Sequence, residues 1–205
     1  MMLCKNKRFK RLIRCLTVLT TVCALSPAAS AAPASAEMLV NACFSCHGTV
    51  GNSAGLTLPN LAGTPKQIIL DAMQEFKAGD RASSLMGRIA QGYSDADFGV
   101  MADFFSAQKP QPHAQQLDAA KVALGATLVE KNCAECHITQ GRRASDDPPV
   151  LFGQWLGFLQ LQMKLYTERA RKMPLRMSAK VQNLAPPELD AILSYYASQN
   201  PALIK

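Results

Sequence analysis

Two five-residue segments of this chain have the same form, Cys43-Phe-Ser-Cys46-His47 and Cys133-Ala-Glu-Cys136-His137, and they stand 90 residues apart. The repetition extends around them. A shift of 90 also places Pro59-Asn-Leu-Ala-Gly63 on Pro149-Val-Leu-Phe-Gly153. With one residue inserted, a shift of 91 aligns Met86 with Met177, Asp97 with Glu188, Phe98 with Leu189, Met101 with Ile192 and Phe104-Phe105 with Tyr195-Tyr196. Self-similarity at a fixed period marks a duplicated folding unit. The chain is therefore expected to be two copies of one domain, at 37–108 and 117–205. Between them, residues 109–116 (Lys109-Pro-Gln-Pro-His-Ala-Gln-Gln116) form a linker whose prolines and polar residues cannot continue a helix.

Each copy reads as helical, with glycine and proline punctuation and few β-branched runs. The fold class is all-α, twice over. Lys121 to Lys131 is predicted to be a helix leading into the second cysteine motif, with Val122, Leu124, Leu128 and Val129 on its buried side. Ser94 followed by Asp97 is a capping-box pattern, and Phe98, Met101, Ala102, Phe104 and Phe105 mark the apolar side of a helix ending near Gln108. Pro186 and Pro187 suit the first turn of the equivalent helix, where an amide proton has no intrahelical partner.

The first 36 residues are set apart by charge. Six of the chain's 22 basic residues (Lys5, Lys7, Arg8, Lys10, Arg11, Arg14) lie in the first 14, and no acid precedes Glu37. An apolar run from Leu16 to Leu25 and small residues offering cleavage after Ala31 or Ala36 complete the pattern of a cleaved secretion signal. The run is too short for a permanent membrane span. Export to a bacterial periplasm is expected. Without the leader, 16 basic residues face 15 acidic ones, a net charge of +1 that excludes nucleic-acid binding by bulk charge.

The leader also removes Cys4, Cys15 and Cys23 from a total of seven cysteines, leaving the two motif pairs. C-x-x-C-H is the attachment sequence of a c-type haem. Its two thiols add to the two vinyl groups of one haem, and the adjacent imidazole becomes the proximal iron ligand. Paired zinc-binding C-x-x-C motifs usually lie about 15–20 residues apart, whereas 86 residues separate Cys46 from Cys133. A disulfide or redox pair accounts for neither His47 nor His137. Two covalent haem c groups are therefore expected, on Cys43, Cys46 and His47 and on Cys133, Cys136 and His137.

The chain has three histidines, and the third, His113, lies in the linker, so two bis-histidine haems cannot form within one chain. Methionine is the other common sixth ligand of electron-transfer haems, and it raises their potential. Met86 and Met177 occupy equivalent positions and are the expected axial ligands. Met173 is the rival to Met177. Met38, Met73, Met101 and Met163 fall within apolar helical patterns as core filling. The cluster Arg169, Arg171, Lys172, Arg176 and Lys180 reads either as a docking face or propionate partner, or as a solvated helix face. Asp146-Asp147 lacks a complementary base and reads as exposed loop. Trp155 could pack on the second haem or simply fill a helix start, and His113 is expected to be an exposed linker residue.

The succession of C-x-x-C-H, P-x-L-x-G, and a Met ahead of an S-D-x-D-like helix start resembles the tandem class I cytochrome c domains of periplasmic di-haem cytochromes. The similarity covers almost all of residues 37–201. Glu37-Met-Leu, Cys46-His-Gly-Thr-Val-Gly-Asn-Ser53 and Met86-Gly-Arg-Ile-Ala-Gln-Gly-Tyr-Ser-Asp-Ala-Asp-Phe98 resemble the di-haem cytochrome subunit of flavocytochrome c sulfide dehydrogenase. Gly153-Gln-Trp155 and Met177-Ser-Ala-Lys180 do so in the second copy. The resemblance implies a subunit with no substrate chemistry of its own. Such a subunit takes electrons from a sulfide-oxidising flavoprotein that carries FAD and passes them to a soluble cytochrome. It further implies that the carbonyls of Pro59 and Pro149 orient the rings of His47 and His137. The alternative is a free di-haem carrier delivering electrons to a terminal oxidase.

Overall fold

A computed structural model describes residues 35–137 and 151–200. Residues 1–34, with most of the expected leader, the segment containing Gly141, Asp146, Asp147 and Pro149, and the last five residues lie outside these. In chain order the helices are α1 (Ala36–His47), a 3-10 turn (Thr49–Gly51), α2 (Lys66–Ala78), α3 (Met86–Ala90), α4 (Asp95–Ser106), α5 (Ala119–Asn132), α6 (Leu156–Thr167), α7 (Leu175–Val181) and α8 (Pro186–Ser198). No strand occurs among the described residues. The repeat is visible in the element starts: α6 begins 90 residues after α2, and α8 begins 91 after α4.

Local chemistry sets the helix ends. Ser35 starts α1, its Oγ accepting the Met38 amide at 3.3 Å. At α4 the capping box is reciprocal: Ser94 Oγ accepts from the Asp97 amide at 3.2 Å, and the Asp97 carboxylate accepts from the Ser94 amide at 2.8 Å. At α8 only half of that device exists. Pro186 and Pro187 fill the first turn, and Glu188 accepts the Ala185 amide at 2.8 Å, but alanine has no side-chain acceptor to return the bond. The helix before the second motif begins two residues earlier than the apolar pattern indicates, because Asp118 Oδ1 accepts the Ala120 and Lys121 amides at 2.8 and 3.3 Å. Helix α4 ends at Ser106, two residues short of Gln108.

One tie recurs in both halves. The Gly63 amide donates to Phe105 O at 3.0 Å, and the Gly153 amide to Tyr196 O at 3.1 Å. Each fastens the loop after a cysteine motif to the last helix of its half. Both glycines have positive φ, 70° and 66°, which a side chain would strain.

The buried apolar residues form two clusters. Val40, Ile69, Met73, Phe98, Met101 and Phe105 centre the first. Val129, Leu159, Met163, Ile192, Tyr195 and Tyr196 are prominent in the second. Met38 does not join them. It is 70% exposed, because it sits in the first turn of α1 on the side away from Leu39 and Val40. Leu124 is also turned outward, 49% exposed. Its neighbour Gly125 takes the buried position, where α5 meets α8 so closely that a Cβ would lie 2.1 Å from Ala191 O.

The two halves are joined by a polar seam. The buried side chain of Asn60 accepts the Ser53 amide at 2.8 Å and donates to Gly153 O at 3.2 Å. Gln154 completes the exchange, accepting the Asn60 amide at 2.9 Å and donating to Asn60 O at 3.0 Å. Trp155 Nε1 donates to Ser53 O at 2.9 Å, which gives this residue a role between the halves rather than against the second haem site. The linker is laced into the seam. Asn52 bonds Lys109 O and the Gln111 amide, Gln115 bonds Gln154 O, Ala197 O and the Leu156 amide, and His113 stacks on Trp155 with ring centroids 4.6 Å apart. His113 is therefore half-buried, contrary to the expectation of an exposed residue, and that burial lowers its pKa.

Candidate haem-attachment sites

The first motif occupies the end of α1, where Cys43, Cys46 and His47, at spacings of three and four, share one helix face. Both thiols are free of disulfides, and burial raises the pKa of Cys43, with neighbouring Cys46 adding to the effect. The His47 ring is buried, its Nδ1 3.0 Å from Pro59 O. A carbonyl can only accept, so Nδ1 carries the proton and Nε2 keeps its lone pair for an electrophile. Burial lowers the His47 pKa, and the Pro59 bond opposes that shift. This is the ring-orienting bond that the family resemblance implies. The corresponding carbonyl, that of Pro149, lies outside the described residues.

The second motif has the same residues on a different local backbone. Helix α5 ends at Asn132, and Cys133 to His137 form a tight turn in which the amides of Cys136 and His137 both donate to Cys133 O, at 3.2 and 2.8 Å. Cys133 and Cys136 are free thiols, with Cys133 raised in pKa mainly by burial. Tyr196 of α8 lies beside the histidine, ring centroids 6.1 Å apart. Burial drives its phenol pKa far upward, so it remains neutral there.

Both motifs open into one continuous, largely apolar cavity of about 1890 Å³. Its wall includes Cys43, Cys46 and His47 from the first half and Cys133, Cys136 and His137 from the second. Met86, the first residue of α3, and Met177, in α7, line the same cavity. Met173 is packed against the second core and does not line it. Free paired thiols, an imidazole and a thioether from each half on the wall of one apolar cavity, with the outer nitrogen of His47 engaged by Pro59 O, fit covalently held haem.

The basic cluster divides. Arg176 and Lys180 of α7 reach Glu135, inside the second motif, at 3.4 and 3.7 Å. Arg171 is no surface residue. It is 8% exposed, and its Nε and one terminal nitrogen donate to Ala82 O of the other half at 3.0 and 2.8 Å. Arg81, its counterpart 90 residues earlier, also lines the cavity and was not singled out from sequence, although the repeat alignment pairs the two.

No family model matches the chain. It is 30% identical over 170 residues to the thiosulfate dehydrogenase electron acceptor of Thiomonas intermedia, covering 78% of each chain. To cytochrome c4 of Azotobacter vinelandii it is 30% identical over 177 residues, 75% of this chain and 82% of that one. The cytochrome subunit of sulfide dehydrogenase of Chlorobaculum tepidum is 36% identical over 77 residues, 38% of this chain and 69% of the relative. Among solved structures, reduced cytochrome c4 from Pseudomonas stutzeri superposes with a TM-score of 0.70 at 26% identity, covering 80% of this chain and 97% of that one. Similarity over three quarters or more of the chain, a repeated all-α fold and a cysteine-histidine motif in each half lead to one conclusion: the chain belongs to the cytochrome c4-like family of di-haem c-type cytochromes, proteins of electron transfer.

Proposed function

We propose that this chain is a periplasmic di-haem electron acceptor for a dehydrogenase of reduced inorganic sulfur, delivered by a leader at 1–36 and built from cytochrome domains at 37–108 and 117–205. The observation that carries the reading is the shared cavity, which brings both attachment motifs together in one chain. Haem bound there supplies a one-electron iron couple. Cys43 and Cys46 would hold one haem covalently and Cys133 and Cys136 the other. His47 and His137 would bind the haem iron, and the Pro59 carbonyl holds the His47 ring with Nε2 available for that bond. Met86 and Met177, on the same cavity wall, would supply a thioether to each iron. A thioether ligand would favour the reduced state, which suits electron transfer. The apolar wall limits water, which keeps reorganisation small.

Two donors fit this reading, a thiosulfate dehydrogenase and an FAD-bearing sulfide-oxidising flavoprotein, with a soluble cytochrome as acceptor. The relatives named for these two systems support them, the first along most of the chain and the second over a shorter stretch. The similarity to cytochrome c4 supports a second reading, a free carrier to a terminal oxidase. Anaerobic mixing separates them. The haem-loaded chain is combined with each dehydrogenase and its substrate, and haem absorption is followed. Fast reduction that requires both dehydrogenase and substrate is expected. Failure with both donors, alongside rapid oxidation by a terminal oxidase, would leave the free carrier.

A further inference from the structure

Arg81 and Arg171 hold equivalent positions just past α2 and α6. The Arg81 amide donates to Glu75 O at 3.2 Å, and the Arg171 amide to Leu165 O at 2.9 Å, the same tie in each half. Both side chains line the shared cavity. Their guanidinium groups lie against one ring, that of Phe76, at 5.3 and 5.6 Å from its centroid. One cation from each half thus converges where the halves meet.

Their compensation is incomplete. Arg171 donates to Ala82 O and to Gln162 Oε1, both neutral. Burial, and then the charge of Arg81, lower its pKa to about 10. Arg81 reaches Glu75 at 3.2 Å, but that carboxylate is about half exposed, and Arg81 Nε is buried with no hydrogen-bond partner among the described residues. Glu135 is the acidic residue in the described wall, and it already faces Arg176 and Lys180. Two guanidiniums in a mostly apolar cavity, with one half-exposed carboxylate paired to Arg81 alone, need another anion, since a buried charge is costly unless paired. Haem carries two propionate carboxylates.

We infer that Arg81 and Arg171 form a paired guanidinium seat for haem propionates at the junction of the two halves, with Arg81 Nε an unused donor to a carboxylate. This rests on the haem placement proposed above. Guanidinium forks match carboxylates in shape as well as charge. Positive charge beside a haem edge favours the reduced state, so the pair raises the potential. Because each arginine contacts the junction from its own half, a change in one is felt on both sides.

The test uses the haem-loaded chain and spectroelectrochemical titration of both midpoint potentials at several pH values. Arg81→Gln is expected to lower at least one potential by more than Lys66→Gln does, Lys66 being an exposed cation outside the cavity wall. It should also steepen the pH dependence, as the propionate loses the cation that keeps it ionised. Arg81→Lys should restore the potential in part, keeping the charge without the fork. Arg171→Gln should act in the same direction. If that variant does not accumulate with haem, Arg81→Gln decides alone. Potentials and pH profiles matching those of Lys66→Gln would overturn the seat while leaving the electron-transfer reading intact. A wild-type chain that carries no haem would overturn both.

Discussion

The contact at Gly125 yields two opposite outcomes from one kind of substitution. Gly125→Ala places a Cβ 2.1 Å from Ala191 O, 2.7 Å from Ala191 C and 2.8 Å from Tyr195 Cβ, where ordinary contact begins at 3.4 Å. The nearest atoms are backbone, so no rotamer relieves the clash and α5 must move from α8 by about 1 Å. Overpacking typically costs about 1–3 kcal/mol, and a rigid neighbour puts this site at or above the top of that range. Alanine returns about 1 kcal/mol of helix propensity. A net loss of about 2 kcal/mol follows. Gly99→Ala, in α4, meets nothing within 4 Å and should gain about 0.5–1 kcal/mol. The two variants should differ by about 3 kcal/mol, roughly 100-fold in the folded-to-unfolded ratio. Urea unfolding of the haem-loaded chain, followed by circular dichroism and by release of Trp155 quenching, measures both. A Gly125→Ala variant as stable as Gly99→Ala would show that α5 and α8 do not approach as described. Since α5 leads into Cys133 and α8 lines the cavity with Ile192 and Tyr196, the second haem's spectrum should shift in Gly125→Ala and not in Gly99→Ala.

Other outcomes can be read from the same protein. Met177→Ala should abolish the methionine-to-iron absorption of the second haem and lower its potential, while Met173→Ala leaves both unchanged; the reverse pattern would transfer the ligand role to Met173. Asn60→Ala orphans the Ser53 amide and Gly153 O inside the seam, at about 1–3 kcal/mol for each group left unpaired, and a urea midpoint equal to wild type would refute that. His113 has a pKa below its ordinary 6.5 because it is partly buried against Trp155. The unfolded chain therefore binds its proton first, so stability is full above about pH 6.5 and falls as pH drops through the folded pKa; His113→Phe should flatten that part of the stability–pH curve. Glu135→Gln removes both ion pairs to α7. Exposed pairs contribute little to global stability, so the expected change is local: a salt-sensitive methionine-to-iron band at the second haem and none at the first.

What the sequence reveals and what it hides follow from the range of the interaction involved. The offsets of 90 and 91 predict where α6 and α8 begin, because a duplicated unit repeats its local signals. The Ser94–Asp97 box and the Pro186-Pro187 start are likewise complete within four residues. Both motifs and both equivalent methionines line one cavity. Leu124 misleads because helical periodicity cannot show that α8 approaches over Gly125, where no side chain fits. Arg171 belongs to a cluster whose own segment leaves a docking face, a propionate partner and a solvated helix face all open, and its contacts with Ala82 and Phe76 of the other half are invisible in that segment. His113 misleads for the same reason, while Trp155 is buried at a helix start as one of its two readings had it. Each looks ordinary beside its chain neighbours, and they meet only once the linker folds back along the seam.

The Ser35 cap carries a consequence for maturation. The oxygen that closes the first turn of α1 belongs to a residue lying between the two candidate cleavage points. If the expected leader is cut after Ala31, the chain keeps the residue that caps its first helix, whereas a cut after Ala36 would remove the cap and leave that turn free to fray. Cys43, Cys46 and His47 lie at the far end of this same 12-residue helix. The choice of cleavage point would therefore also set how well ordered the first attachment segment is when the haem-attaching machinery meets it.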